Sequence, residues 1–121
     1  RDHILRAGLH GLMHLLHAHH GPGAMTPTEA AFAYECGADI VKLFPAGLLG
    51  AAYIKAVKAP LKHIPVTAVG NVNVENCAEF LKAGAVGVGV GGSLVSAKLV
   101  DEGRFDEITA TAKAYVEALA R

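Results

Sequence analysis

The apolar positions of the chain change their period several times. Leu5, Leu9, Leu12 and Leu16 recur at helical spacing and predict a helix within residues 1–20. Thr26-Pro27-Thr28-Glu29 has the form of a capping box, with Pro27 suited to the first helical position. The helix it opens is predicted to run to about Glu35, and Gly37 can end it in a left-handed conformation. Asp39 to Phe44 reads as a strand stopped by Pro45, and Gly50 to about Lys58 as a helix. Ile64 to Val69 is an uncharged strand, and Asn73 is placed to cap a further helix that ends at Gly84. Val86 to Val90 is a glycine-rich strand. Asp106 to Ala120 is a last helix, with Ile108, Ala112, Tyr115 and Leu119 on one face.

Strands and helices therefore alternate every roughly 20–25 residues, the rhythm of parallel βα units. The strands show no clean in-out alternation, which predicts burial on both faces. An open doubly wound sheet and part of a (β/α)₈ barrel both fit. A whole barrel needs at least ~200 residues, and this chain has 121. The predicted fold class is α/β: parallel βα repeats forming a half-barrel over residues 21–121, preceded by an atypical helix over 1–20. Before Thr26 a barrel would want an apolar strand, and His17-Ala18-His19-His20-Gly21-Pro22-Gly23 is a poor one.

Composition narrows the function classes. The chain is 52% hydrophobic and 18% charged, enough for one domain with a core. Eleven basic and eleven acidic side chains cancel, so no long-range field draws the protein to nucleic acid or to an anionic membrane. No apolar run is long enough to span a bilayer and no signal-like segment leads the chain, so a cytoplasmic protein is expected. Cys36 and Cys77 stand alone inside helical patterns, without the pairing that zinc would need. His10, His14 and His17 share a helix face. They form either a metal-binding row or an exposed polar face, and no carboxylate or cysteine joins them.

Three stretches carry candidate chemistry. Lys42 interrupts the apolar run Asp39-Ile40-Val41-Lys42-Leu43-Phe44-Pro45-Ala46. A buried ammonium costs several kcal/mol unless it is paired, solvated or neutralised. Lys42 is thus either a mouth lysine with a wetted tip or a nucleophile wanted in its neutral form, able to condense with a carbonyl. The run Gly87-Val88-Gly89-Val90-Gly91-Gly92-Ser93 offers backbone N–H groups and a hydroxyl after a strand. It is either a phosphate cradle or a place of close backbone packing. It also contains a literal G-x-G-x-x-G, but its glycines fall within the strand, which argues against a dinucleotide site. Val69-Gly70-Asn71-Val72-Asn73 follows the uncharged strand. There Gly70 permits close approach of a ligand and Asn71 can hydrogen-bond an anion, or the stretch is a plain strand-to-helix turn.

Gly21–Glu29 (GPGAMTPTE), Val41–Gly47 (VKLFPAG), Val69–Asn76 (VGNVNVEN) and Phe80–Val95 (FLKAGAVGVGVGGSLV) closely resemble the 2-keto-3-deoxy-6-phosphogluconate aldolases. Some members of that family also cleave 4-hydroxy-2-oxoglutarate. The resemblance implies a homotrimeric (β/α)₈ barrel and a lyase of the class I aldolase type, acting without cofactor or metal on a small keto acid or phosphorylated sugar acid. It implies Lys42 as the Schiff-base residue, with Phe44 beside the imine. It implies Pro22, Val69, Gly70 and Asn71 in substrate binding, and Gly91, Gly92 and Ser93 in phosphate binding. The family often has Pro-Thr-Gly-Gly where this chain has Ala68-Val69-Gly70-Asn71, and valine at position 69 resembles the galactonate-type relatives. The family's N-terminal half, which carries a glutamate acid/base and a carboxylate-holding arginine, has no counterpart in these motifs. Weak turnover by this chain alone is the expectation, or phosphate-ester binding without catalysis.

Overall fold

A computed structural model describes residues 21–120. The predicted helix over 1–20, with His10, His14 and His17, lies outside the described residues. Four strands form one parallel sheet: β1 (Gly23–Ala24), β2 (Val41–Leu43), β3 (Val66–Val69) and β4 (Gly87–Gly89). The helices are α1 (Pro27–Glu35), α2 (Ala46–Lys58), α3 (Cys77–Lys82), α4 (Ala97–Asp101) and α5 (Phe105–Leu119). The spatial order β1-β2-β3-β4 follows the chain without reversal. A doubly wound sheet reverses its order at a switch point, and the described residues hold no such reversal.

The expectation of two buried faces is corrected. Val41, Leu43, Val66 and Ala68 are fully buried under the helices, against Ala30, Ile54, Phe80 and Tyr115. Lys42, Thr67 and Val69, which alternate with them, are only partly buried. The sheet therefore has a packed face and a half-open face. Period-two alternation is present, but Val69 and the glycines of β4 hide it in the sequence.

Local signals fix most of the elements. Thr26 caps α1: its hydroxyl accepts from Glu29 N at 3.3 Å, while the Glu29 carboxylate accepts from Thr26 N at 2.8 Å and Met25 N at 2.9 Å. Those backbone donors hold the Glu29 pKa below its ordinary value. Gly37 adopts φ +87° at the end of the helix, as expected. The second helix starts earlier than predicted, at Ala46, and Gly50 breaks it with φ +82°. Its C-terminal end is tied by Lys58, whose Nζ donates to the carbonyls of Leu61 (3.3 Å), Lys62 (3.1 Å) and Ile64 (2.5 Å). Asn73 does not open α3 directly. It exchanges bonds with Asn76, each side-chain oxygen accepting from the other's backbone N–H, and the helix proper begins at Cys77. The short α4, capped by Ser96, and the short β1 are elements the periodicity did not predict. Among the described residues no helix is long and apolar enough to cross a membrane.

Candidate functional site

Register places Lys42 in the middle of the half-open face. Gly23 pairs with Lys42, Lys42 with Thr67, and Thr67 with Gly87. Residues side by side in a parallel sheet point to the same face. The row is thus Gly23–Lys42–Thr67–Gly87: one lysine and one hydroxyl between two glycines. Gly23 leaves open space on one side of Lys42, since a Cβ there would meet nothing within 4 Å. The lysine stem is half-buried, its backbone N–H donates to the Pro22 carbonyl at 2.9 Å, and no carboxylate pairs with it among the described residues. Pro22 thus meets Lys42 through its backbone.

The Lys42 ammonium lies 5.0 Å from the centre of the Phe44 ring. Such a contact at a partly exposed site stabilises by ~0.5–1 kcal/mol. Phe44 is 49% exposed and lies against the next loop. A Cβ on Gly70 would fall 2.6 Å from the Phe44 ring, and Gly70 has φ +92°, so only glycine fits there. Asn71 follows in the left-handed region at φ +53°. Gly47, in the first turn of α2, donates its N–H to the Gly70 carbonyl at 2.8 Å. A Cβ at position 47 would run into the Asn71 backbone, so Gly47 is what lets the two loops touch.

Beyond the C-terminal ends of β3 and β4 lies a cavity of about 420 Å³. Val69, Gly70, Asn71 and Val72 form one wall; Gly89, Gly91, Gly92 and Ser93 form the other. The glycines there do different work. A Cβ on Gly89 would lie 2.8 Å from a Val69 methyl, which is close packing. A Cβ on Gly91 or Gly92 would meet nothing within 4 Å, so packing does not require glycine at either position. The N–H groups of Gly92 and Ser93 have no acceptor among the described residues. Free N–H donors around an open concavity suit a phosphate or carboxylate. The Ser93 hydroxyl is engaged inside the protein: it donates to the Val72 carbonyl at 2.7 Å, and the Tyr115 hydroxyl stands 2.9 Å from it.

Of the residues singled out in the sequence, Val69, Gly70, Asn71, Gly91, Gly92 and Ser93 converge on this cavity. Phe44 packs against Gly70 at its edge, and Lys42 lies on the same sheet face one step further down the strands, level with Thr67. Val69 belongs to both places: it lines the cavity and sits two residues after Thr67 on β3. Thr67 and Tyr115 were not singled out as functional. Thr67 is the one polar residue of an otherwise apolar strand, the same signal that exposed Lys42. Tyr115 carries no such mark, because its ring belongs to the core. Among the described residues no group of three metal-ligating side chains occurs.

The family model "KDPG and KHG aldolase" matches residues 5–111, beginning inside the first twenty residues that the quoted motifs do not reach. The 2-dehydro-3-deoxy-6-phosphogalactonate aldolase of Escherichia coli (strain K12) is 44% identical over 99 residues, which cover 81% of this chain and 48% of the relative. The 2-dehydro-3-deoxy-phosphogluconate aldolase of Treponema pallidum (strain Nichols) is 35% identical, covering 74% and 43%. A solved structure described as native KDPGal superposes with a TM-score of 0.73 at 42% identity, covering 86% of this chain and 51% of that one. The chain thus spans about half the length of the curated relatives it matches. Parallel βα units, a lysine on the open sheet face and a glycine-lined cavity at the strand ends accompany these matches, and the chain belongs to the KDPG and KHG aldolase family.

Proposed function

We propose that this chain carries the Schiff-base and phosphate-binding half of a class I aldolase site. Lys42, Phe44, Pro22, Val69, Gly70 and Asn71 meet the keto-acid part of the substrate, and Gly91, Gly92 and Ser93 meet its phosphate. The observation that carries the reading is the position of Lys42: an amine without a carboxylate partner among the described residues, in an open row, next to a cavity rimmed by free N–H groups. The neutral amine adds to the keto carbon, one proton is taken up and water leaves, giving an iminium. Breaking the carbon–carbon bond two atoms away sends its electron pair into the iminium, while a base removes the proton of the departing hydroxyl. The resulting enamine takes a proton at carbon, and hydrolysis releases pyruvate and restores Lys42.

The substrate class is a 2-keto-3-deoxy-6-phospho sugar acid or 4-hydroxy-2-oxoglutarate. Val69 and the 44% identity to a galactonate-type relative favour the galactonate epimer. The row around Lys42 holds no carboxylate to serve as the base. We infer that the four strands are half of an eight-stranded barrel, with the acid/base from the other half, in a homo-oligomer. Without that base, turnover falls by ~10²–10⁴-fold. The same observation favours a second reading, a phosphate-binding module that does not turn over.

Borohydride trapping with pyruvate separates the two. The first reading expects a reduced adduct on the peptide bearing Lys42, and none in the Lys42→Met variant. A folded sample that takes up phosphate but gives no adduct supports the binding module.

A further inference from the structure

Three polar groups meet behind the glycine-lined cavity, and the proposed reaction uses just one of them. Ser93 donates to the Val72 carbonyl at 2.7 Å. The Tyr115 hydroxyl lies 2.9 Å from Ser93 Oγ and 3.2 Å from the same carbonyl. Tyr115 comes from α5, 5% exposed, while Ser93 is exposed at the cavity. The cluster therefore has two hydroxyl protons and two acceptors that face them, Val72 O and Ser93 Oγ.

A phosphate ester draws on hydroxyl donors, and Ser93 has one proton, which Val72 O holds. If Ser93 turned that proton to a ligand with no other donor present, Val72 would keep a buried, unpaired carbonyl; the residue is 2% exposed. Leaving such a group unpaired weakens an equilibrium by on the order of tenfold. The Tyr115 hydroxyl is within reach of both acceptors, so it can swing from Ser93 Oγ to Val72 O as Ser93 turns outward.

We propose that Tyr115 is a positioning residue of the anion site, a reserve donor that takes over the Val72 carbonyl and so frees the Ser93 proton for a phosphate group. No covalent bond changes; each proton stays on its own oxygen. The proposal rests on reading the cavity as the phosphate subsite.

Inorganic phosphate titrated into the full chain tests it, followed by the amide signals of Gly91, Gly92 and Ser93. Tyr115→Phe, which keeps the ring and its packing, is expected to weaken phosphate binding roughly tenfold while leaving pyruvate trapping at Lys42 intact. Ser93→Ala is expected to weaken binding too, and the double variant to bind no worse than Ser93→Ala, because Tyr115 acts through Ser93. In the parent chain the Tyr115 Cζ resonance is expected to move on phosphate addition, and to stay still in Ser93→Ala. Unchanged affinity in Tyr115→Phe, additive losses in the double variant, or a static Tyr115 signal in the parent would each overturn the proposal while the phosphate reading stands. A parent chain that takes up no phosphate removes both.

Discussion

Gly70 and Gly92 are the same residue type in facing walls of one cavity, yet they answer to different constraints. Gly70 holds φ +92° with its missing Cβ 2.6 Å from the Phe44 ring. Gly92 has open space where a Cβ would stand and no positive φ. Gly70→Ala is therefore expected to destabilise the fold by about 1–3 kcal/mol from backbone strain, before any displacement of Phe44. Gly92→Ala is expected to leave stability unchanged or to raise it by about 0.4–1 kcal/mol, because alanine narrows the unfolded ensemble, and to weaken phosphate binding by filling the cradle. Urea midpoints and phosphate titrations on both variants check the pair; a stable Gly70→Ala or a Gly92→Ala with full affinity would contradict it. At this scale Lys42 was legible because an ammonium inside an apolar run demands a reason. The division of labour among the glycines was not, since glycine looks alike whether it makes room for a ring, for a neighbouring strand or for a ligand.

The helix signals that rest on neighbouring residues held best. Thr26, Pro27 and Glu29 act within four positions of one another, and the capping box forms as the sequence predicts. Signals that depend on distant partners went astray. Gly50 breaks α2 in a way its own sequence does not announce, and β1 owes its existence to pairing with β2. Asn73, a local signal, does form cap-like bonds, its side-chain oxygen accepting from Asn76 N and its carbonyl from Cys77 N, one turn before the helix proper. The capping box also carries a pH dependence. Backbone N–H groups of Met25 and Thr26, then the Thr26 hydroxyl, lower the Glu29 pKa below 4.5. A carboxylate whose folded pKa is depressed stabilises fully above its unfolded value, and that stabilisation is lost as pH falls through the folded value. Glu29→Gln, which can accept but does not titrate, is expected to be less stable than the parent at neutral pH. The gap is expected to narrow as pH falls below about 4.5 and to close below the depressed folded value. Parallel melting curves across pH 3–7 read this directly; a gap of constant size would show that Glu29 contributes no charged hydrogen bond.

The parallel pairing of the strands was within reach of the sequence, because alternating βα units build a parallel sheet. How much of each strand face would be covered was not, since burial depends on what the rest of the assembly supplies. The described sheet ends at β1 on one side and β4 on the other, and its second face is only partly covered. Strand edges and uncovered faces invite further pairing. Large apolar side chains stand out besides: Leu48 is 74% exposed, Val116 68%, Val86 62% and Phe105 60%. Charge does little to oppose contact, because eleven basic and eleven acidic groups leave no net repulsion at pH 7. The chain is thus expected to self-associate, and light scattering is expected to give a mass of at least two chains. Contacts of this kind are apolar and backbone-mediated, so added salt is not expected to dissolve them, as it would dissolve an association held by surface ion pairs. A monodisperse monomer would mean that residues outside the described region cover the open face and edges. Lys42 would then lie in a more enclosed row than these residues show.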